Sequence, residues 1–208
     1  RDWSSDVCSS DLALKAYLGV GNKATGLIAG SAHPNWDAAN ERIGVATATP
    51  VIDGYDIQGR VVVGTGVGAD VIIRNTTIRG AASGGYSPFK IQKSNSDANY
   101  TVTVEDSTLE KGQANNTSRI IFRRVLVRDS DSDMFKLGSA GGFGKAGRLE
   151  SSWGEYGGQG SPSAHTDGGQ TTYGYWRNVA VGFFTTPVPD SGASATRYTG
   201  PYSTNSYG

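Results

Sequence analysis

Val71-Ile72-Ile73-Arg74-Asn75-Thr76-Thr77-Ile78 decides the fold: a β-branched run of period two, closed by a small polar group and resumed as a second short apolar stretch. The same texture returns at Val102-Thr103-Val104-Glu105-Asp106-Ser107-Thr108-Leu109, from Ile121 to Val127, from Leu149 to Trp153 and from Tyr175 to Val181, with a shorter forerunner from Arg60 to Val63. Ile73, Val104, Phe122, Leu149 and Trp176 take the equivalent position, at spacings of 31, 18, 27 and 27 residues. Self-similarity at such periods marks a solenoid or an array of blades. Each unit holds one strong strand core and one weaker one, short of the four strands of a propeller blade. Two places after the aligned apolar residue stand Asn75, Asp106, Ser151 and Asn178. Asn and Asp tolerate the left-handed backbone that a sharp corner requires, and stacked coils let such side chains form hydrogen-bonded ladders. The pattern predicts an all-β, right-handed parallel β-helix of about six coils, a solenoid whose handedness follows from parallel crossovers. Its inward residues are Ile72 or Ile73, Ile78, Val102, Val104, Leu109, Phe122 and Val179.

Composition agrees with that reading. The 208 residues include 30 glycines and 7 prolines, and only 18% are charged. Charged residues usually run near 25%, much of it on Glu/Lys-rich helical faces, so composition argues against a helical bundle. Lys plus Arg and Asp plus Glu both number 19, which gives no electrostatic pull toward nucleic acid or an anionic membrane. No apolar run approaches the roughly 18 residues of a membrane-spanning helix. One cysteine cannot close an internal disulfide.

Arg1 to Leu12 reads RDWSSDVCSSDL, which resembles the translation of sequencing-adapter DNA at the end of a metagenomic contig. Residues 1–12 are therefore set aside as a non-native segment, and Cys8 and Trp3 go with them. Without one Arg and three Asp, the net charge moves to +2. The chain is expected to be a truncated piece whose true N-terminus, with any signal peptide, is missing. Residues 13–50 read as a lead-in or N-terminal cap, with a short helix over Ala13 to Val20 because Leu14 and Leu18 are four apart. Residues 51–185 read as the β-helix. Residues 186–208 read as a loop-rich tail or the start of a further coil.

The unit of alternating aliphatics followed by Asn/Asp, Ser/Thr, any residue and Ile resembles the right-handed parallel β-helix proteins of the pectin-lyase-like superfamily. Val51 to Gly54, Ala69 to Gly80, Asp133 to Gly138 and His165 to Gln170 more narrowly resemble a group of actinobacterial secreted and phage-encoded β-helix proteins. The resemblance spans roughly residues 40 to 185. It implies an extracellular or virion location and a polysaccharide or cell-surface glycan as partner. It is compatible with a binding or structural module, with a lyase or glycoside hydrolase acting in the lateral groove, and with a phage tail-spike or minor tail segment, which would be a trimer.

His165-Thr166-Asp167-Gly168-Gly169-Gln170 is the best candidate for chemistry. His165 suits a general base and Asp167 an acid or orienting group. Gln170, Tyr156, Asp131, Asp133 and Lys136 suit hydrogen bonds to sugar hydroxyls. The structural alternative is a polar corner in which Asp167-Gly168 makes the turn. Thr166-Asp167-Gly168 echoes the Asn-Thr-Asp motif of polygalacturonase-like hydrolases with His165 in place of the Asn, and that family's later motifs are absent. Glycine-flanked Tyr86 and Tyr156 offer flat faces to sugar rings. No cofactor is expected. The acidic run Asp129 to Asp133 is no EF-hand, because Met134 and Ala140 stand where that loop needs Gly and Glu. A surface calcium shared between coils is the alternative to a solvated turn.

Overall fold

The computed structural model describes residues 15–45, 50–64, 67–80, 89–93, 100–111, 113–115, 119–130, 134–137, 147–155, 169–171, 174–177 and 180–181. Residues 1–12, Tyr86, Val179 and the tail 186–208 lie outside that set, as do the expectations placed on them. Among the described residues the chain is all-β apart from one helical turn at 15–18 and a 3-10 turn at Gly30–Ala32.

The described strands form three sheets. The first runs Ile28–Ala29, Tyr55–Ile57, Thr77–Ile78, Thr108–Glu110, Leu126–Arg128, Trp153–Glu155, Ala180–Val181. The second runs Val51–Asp53, Val71–Arg74, Val102–Glu105, Ile120–Arg123, Gly147–Glu150, Gly174–Arg177. The third runs Trp36–Asp37, Arg42–Val45, Arg60–Val63, Phe89–Lys93, Gln113–Asn115, Phe135–Leu137, Gly169–Thr171. Every pairing is parallel except that of Trp36–Asp37 with Arg42–Val45. From Arg42 onward the chain visits the third, second and first sheets in that order, six times. Each round therefore contributes three strands. The sequence reading of one strong and one weak strand undercounts them, because two-residue strands such as Thr77–Ile78 carry too little periodicity to stand out.

Register matches the alignment read from sequence. Ile52, Ile73, Val104, Phe122, Leu149 and Trp176 are successive partners along the second sheet. The side chains from Ile52 to Leu149 in that column are fully buried. Between Ile72 and Ile73 the fold selects Ile73, with Ile72 half-buried on the other face. Ile78, Val102, Val104, Leu109 and Phe122 are buried as expected, in one continuous cluster with Ile43, Val61, Ile91 and Phe135.

The second sheet hands over to the first on a corner of one or two residues. Gly54, Asn75, Asp106, Arg124 and Ser151 all have positive φ there, from 45° to 77°. Asn75, Asp106 and Ser151 are three of the four residues the sequence assigns to left-handed corners; the fourth, Asn178, lies outside the described residues. Arg124 takes the same conformation without the local side-chain hydrogen bonding that helps Asn and Asp into it; its guanidinium instead grips Asp106 of the preceding round through two 2.6 Å hydrogen bonds. One place further on lies an inward hydroxyl column. Thr76, Ser107 and Ser152 each donate to the carbonyl two residues back, at 2.7 to 2.9 Å. Each also accepts a backbone N–H from the preceding round, those of Tyr55, Thr76 and Val125 respectively. These buried hydroxyls are therefore satisfied, as buried polar groups must be.

Phe122 packs edge-on against Phe135, ring centroids 5.9 Å apart, across the interior. Phe122→Ala is expected to cost about 3–5 kcal/mol, and truncation of the half-buried neighbour Ile121 to Ala about 1 kcal/mol. Urea unfolding of the two variants checks the inward phase; equal losses would contradict it.

Candidate functional site

The rounds differ most where the first sheet hands over to the third. That connection takes two residues after Ile57 but runs from 129 to 134 in the fourth round and from 156 to 168 in the fifth. Long excursions on one side of a regular scaffold are where binding and catalytic residues concentrate. In chain order Asp131 and Asp133 fall in one of these connections, Tyr156, His165 and Asp167 in the other, and Tyr86 in the second-round connection, residues 79 to 88. Their structures lie outside the described residues. The strands they lead into are described. Phe135 pairs with Gly169, Lys136 with Gln170 and Leu137 with Thr171. Lys136 and Gln170 are thus brought side by side on adjacent third-sheet strands, about 4.8 Å apart in the hydrogen-bonding direction. The row extends backward: Lys136 pairs with Asn115, and Asn115 with Gln92. Gln92, Asn115, Lys136 and Gln170 occupy one register position, next to the column that contains Ile91 and Phe135.

The residues that lead into Lys136 are buried. Phe135 and Met134 are fully buried, and Phe135 meets Phe122 edge-on. Gly154 on the first sheet makes room for Met134, because a Cβ there would run into the Met134 sulfur. Asp129 opens the fourth-round connection with φ 55°, and its N–H donates to the Glu155 carbonyl at 3.2 Å.

Charge around the connections is arranged in rows. Along the end of the second-sheet strands, Asp53, Arg74, Glu105, Arg123, Glu150 and Arg177 are successive partners and alternate in sign. Arg74 lies 2.8 Å from Asp53, and Arg123 bridges Glu105 at 3.6 Å and Glu150 at 3.1 Å. On the first sheet Arg79 binds Asp56 at 2.8 Å and Glu110 at 2.7 Å, and Arg128 binds the same Glu110. Burial pushes the Glu110 carboxyl up, but Arg128 and Arg79 together hold it below its ordinary value. The Arg124 hydrogen bonds hold Asp106 low, and Asn75 and then Arg74 do the same for Asp53. Sequence reading missed these rows because partners lie 18 to 31 residues apart. Alternation of sign at the strand ends was the available signal.

His33 was likewise not singled out. It is buried in the turn after Gly30–Ala32, 5.1 Å edge-on from Tyr55, and its Nδ1 accepts the Asn35 N–H. Burial holds its pKa below the ordinary value. Among the described residues no cluster of three or more His, Cys, Asp or Glu could hold a metal ion, and no helix is long and apolar enough to cross a membrane.

No protein-family model, curated protein or solved structure matches this chain. The functional reading therefore stands on its own residues.

The electrostatics set a pH dependence. A neutral, buried His33 with a lowered pKa contributes stability above the unfolded value near 6.5, and that contribution shrinks as pH falls below it. Asp53, Asp106 and Glu110, held low by their partners, contribute stability above about pH 4 that is lost on further acidification. Thermal melts from pH 8 to pH 3 should therefore fall in two stages. His33→Gln should remove the first, and Arg128→Gln should lower stability at neutral pH and shrink the second, because Glu110 then keeps less of the lowering that its partners give it. A single stage unaltered by either variant would contradict the assignment.

Proposed function

We propose that the three parallel sheets are the walls of a right-handed parallel β-helix of six coils, and that the chain is an extracellular or virion-borne module that binds a polysaccharide or cell-surface glycan along its third sheet. The observation that carries this reading is the row Gln92, Asn115, Lys136, Gln170. Residues that carry amide and ammonium groups recur there at the strand spacing of about 4.8 Å, a repeat that suits an extended polymer running across the strands. Glycan hydroxyls both donate and accept, which suits amides, and the near-neutral charge of the chain favours no polyanion.

Chain order favours the same edge. Asp131 and Asp133 stand four and two residues before Phe135, and His165 and Asp167 stand four and two before Gly169, its strand partner. Two carboxylates, a histidine and a third carboxylate thus belong to adjacent connections that enter adjacent strands of the proposed glycan wall. That supports an enzymatic reading as the second possibility: a lyase or glycoside hydrolase with His165 as base and Asp167 orienting it or acting as acid. The resemblance to the pectin-lyase-like superfamily points to the same ligand class. A trimeric tail-spike or minor tail segment would use the same wall without turnover.

A glycan array read alongside reducing-sugar and 235-nm unsaturated-product assays tests the proposal. The expected result is binding that drops at least tenfold in the double variant Lys136→Ala, Gln170→Ala, about 0.7 kcal/mol for each lost hydrogen-bonding side chain. Product formation abolished in His165→Ala would select the enzyme. Full binding in the double variant would remove the third sheet from the account.

A further inference from the structure

One end of the third sheet is closed by the single antiparallel strand among the described residues. Trp36–Asp37 pairs with Arg42–Val45, Trp36 opposite Ile43 and Asp37 opposite Arg42. The Gly44 N–H donates to the Asn35 carbonyl at 3.2 Å, which carries the pairing one residue further. The turn of this hairpin is held from within: the Asp37 carboxylate accepts the Asn40 N–H at 3.2 Å, the Asn40 side-chain amide at 2.8 Å and the Arg42 Nε–H at 3.0 Å. The hairpin is seated on Gly59, where a Cβ would collide with the Glu41 carbonyl and crowd the Trp36 ring. Trp36 in turn packs against the buried cluster that contains Ile43 and Val61. Uncovered, Arg42–Val45 would present the row of unpaired N–H and C=O groups that sheet proteins keep protected.

A titratable atom ties this hairpin to the turn before it. The Asn35 N–H donates to His33 Nδ1 at 3.1 Å, and the Trp36 N–H donates to the His33 carbonyl at 2.9 Å. Asn35 thus links the imidazole on one side to Gly44 of the sheet edge on the other. To accept that bond Nδ1 must carry no proton, so the neutral ring holds its proton on Nε2. Protonation makes Nδ1 a donor facing another donor, and the bond to Asn35 is lost. The ring is 6% exposed and meets Tyr55 edge-on, so a cation there has little water to solvate it. Its charged neighbours are already engaged. On the strand Tyr55–Ile57, Asp56 is bound by Arg79 at 2.8 Å; on the hairpin, Asp37 is bound by Asn40 and Arg42. Among the described residues neither carboxylate makes an ion pair with His33, and burial is what lowers the imidazole pKa.

We propose that His33 is a proton-operated latch on this hairpin: the neutral ring holds Trp36–Asp37 over the edge of the third sheet, and protonation at Nδ1 releases it. The hairpin is the two-state element, and one acceptor turned donor is the change that biases it. The released ring titrates near 6.5 and the latched ring below that, so the latched state is favoured above pH 6.5 and loses ground as pH falls through it. The open fraction then rises by up to about tenfold per pH unit, until the latched ring titrates as well. The edge that opens is the start of a register row, in which Gly44 pairs with Val62 and Val62 with Gln92. The latch itself does not rest on the glycan reading of that sheet.

Amide hydrogen exchange of the full chain at pH 7 and pH 5, corrected for the intrinsic rate at each pH, reads the latch. Protection at Asn35 and Gly44 should fall about five- to twenty-fold between the two, the range set by how far below 6.5 the latched ring titrates. Protection at Val102, whose N–H binds the Arg119 carbonyl in the interior of the stack, should stay nearly constant. In His33→Asn a side-chain carbonyl stands near the place of Nδ1 and accepts without titrating, so the fall at Asn35 and Gly44 should disappear. Nitrogen-15 shifts of the parent ring provide a check that needs no variant: at pH 7 Nε2 must be protonated and Nδ1 bare. Unchanged protection at Asn35 and Gly44, an equal fall at Val102, a fall that persists in His33→Asn, or a neutral ring protonated on Nδ1 would each overturn the latch.

Discussion

The corner between the second and first sheets is the constraint on which the rest depends. In one or two residues the chain must leave one sheet and enter the next, and at Gly54, Asn75, Asp106, Arg124 and Ser151 it does so through a left-handed residue. For a residue with a Cβ that conformation costs roughly 1–2 kcal/mol. The structure offsets the cost locally. The Asp106 N–H reaches the Arg123 carbonyl and the Arg124 N–H the Glu150 carbonyl, so the corner stays inside the parallel ladder. The hydroxyls of Thr76, Ser107 and Ser152 bind back across it. Because the corner has fixed length, the phase of both flanking strands is fixed with it. A one-residue slip would turn the Ile73–Val104–Phe122–Leu149 column out to solvent.

Once the phase is set, the outward positions also become columns, and their chemistry becomes periodic. Alternating Asp/Glu and Arg at the ends of the second-sheet strands place opposite charges on successive rounds. Exposed pairs of this kind contribute little each, since water screens them. Their larger effect is on order: exchanging neighbouring rounds would set like charge against like. The segment 15–22 works differently. It crosses several rounds of the first sheet, from Glu155 back to Thr77, and ties strands distant in sequence to one short stretch of chain.

Much of this was legible in the sequence. Period-two runs reveal the aligned column, because Ile73, Val104, Phe122, Leu149 and Trp176 sit in four-residue strands and each is followed by a charged residue. Asn75, Asp106 and Ser151 were readable as corners from side-chain chemistry, whereas Arg124 was hidden by a residue type that carries no turn signal. The third strand of each round was hidden by length, and the charge rows by sequence separation. The covering segment shows no period; Leu18 was visible only as half of a helical pair with Leu14. The candidate site was read from residue chemistry in glycine-rich connections, where no periodic burial constrains position. Of its seven residues Lys136 and Gln170 lie in described strands and acquire neighbours from the register; the other five lie outside the described residues.

The in-register stacking of rounds is the central claim, and a disulfide ruler tests it most directly. Thr103 and Ile121 are strand partners on the outer face of the second sheet. Neighbouring parallel strands run about 4.8 Å apart, inside the Cα range a disulfide accepts, while a two-residue offset along the strand exceeds about 7 Å. In a Cys8→Ser background, the Thr103→Cys, Ile121→Cys pair should therefore oxidise to an intramolecular bridge under mild conditions, and the Thr103→Cys, Arg123→Cys pair should stay reduced. Efficient bridging of the offset pair with none in the aligned pair would contradict the register and the columns built on it.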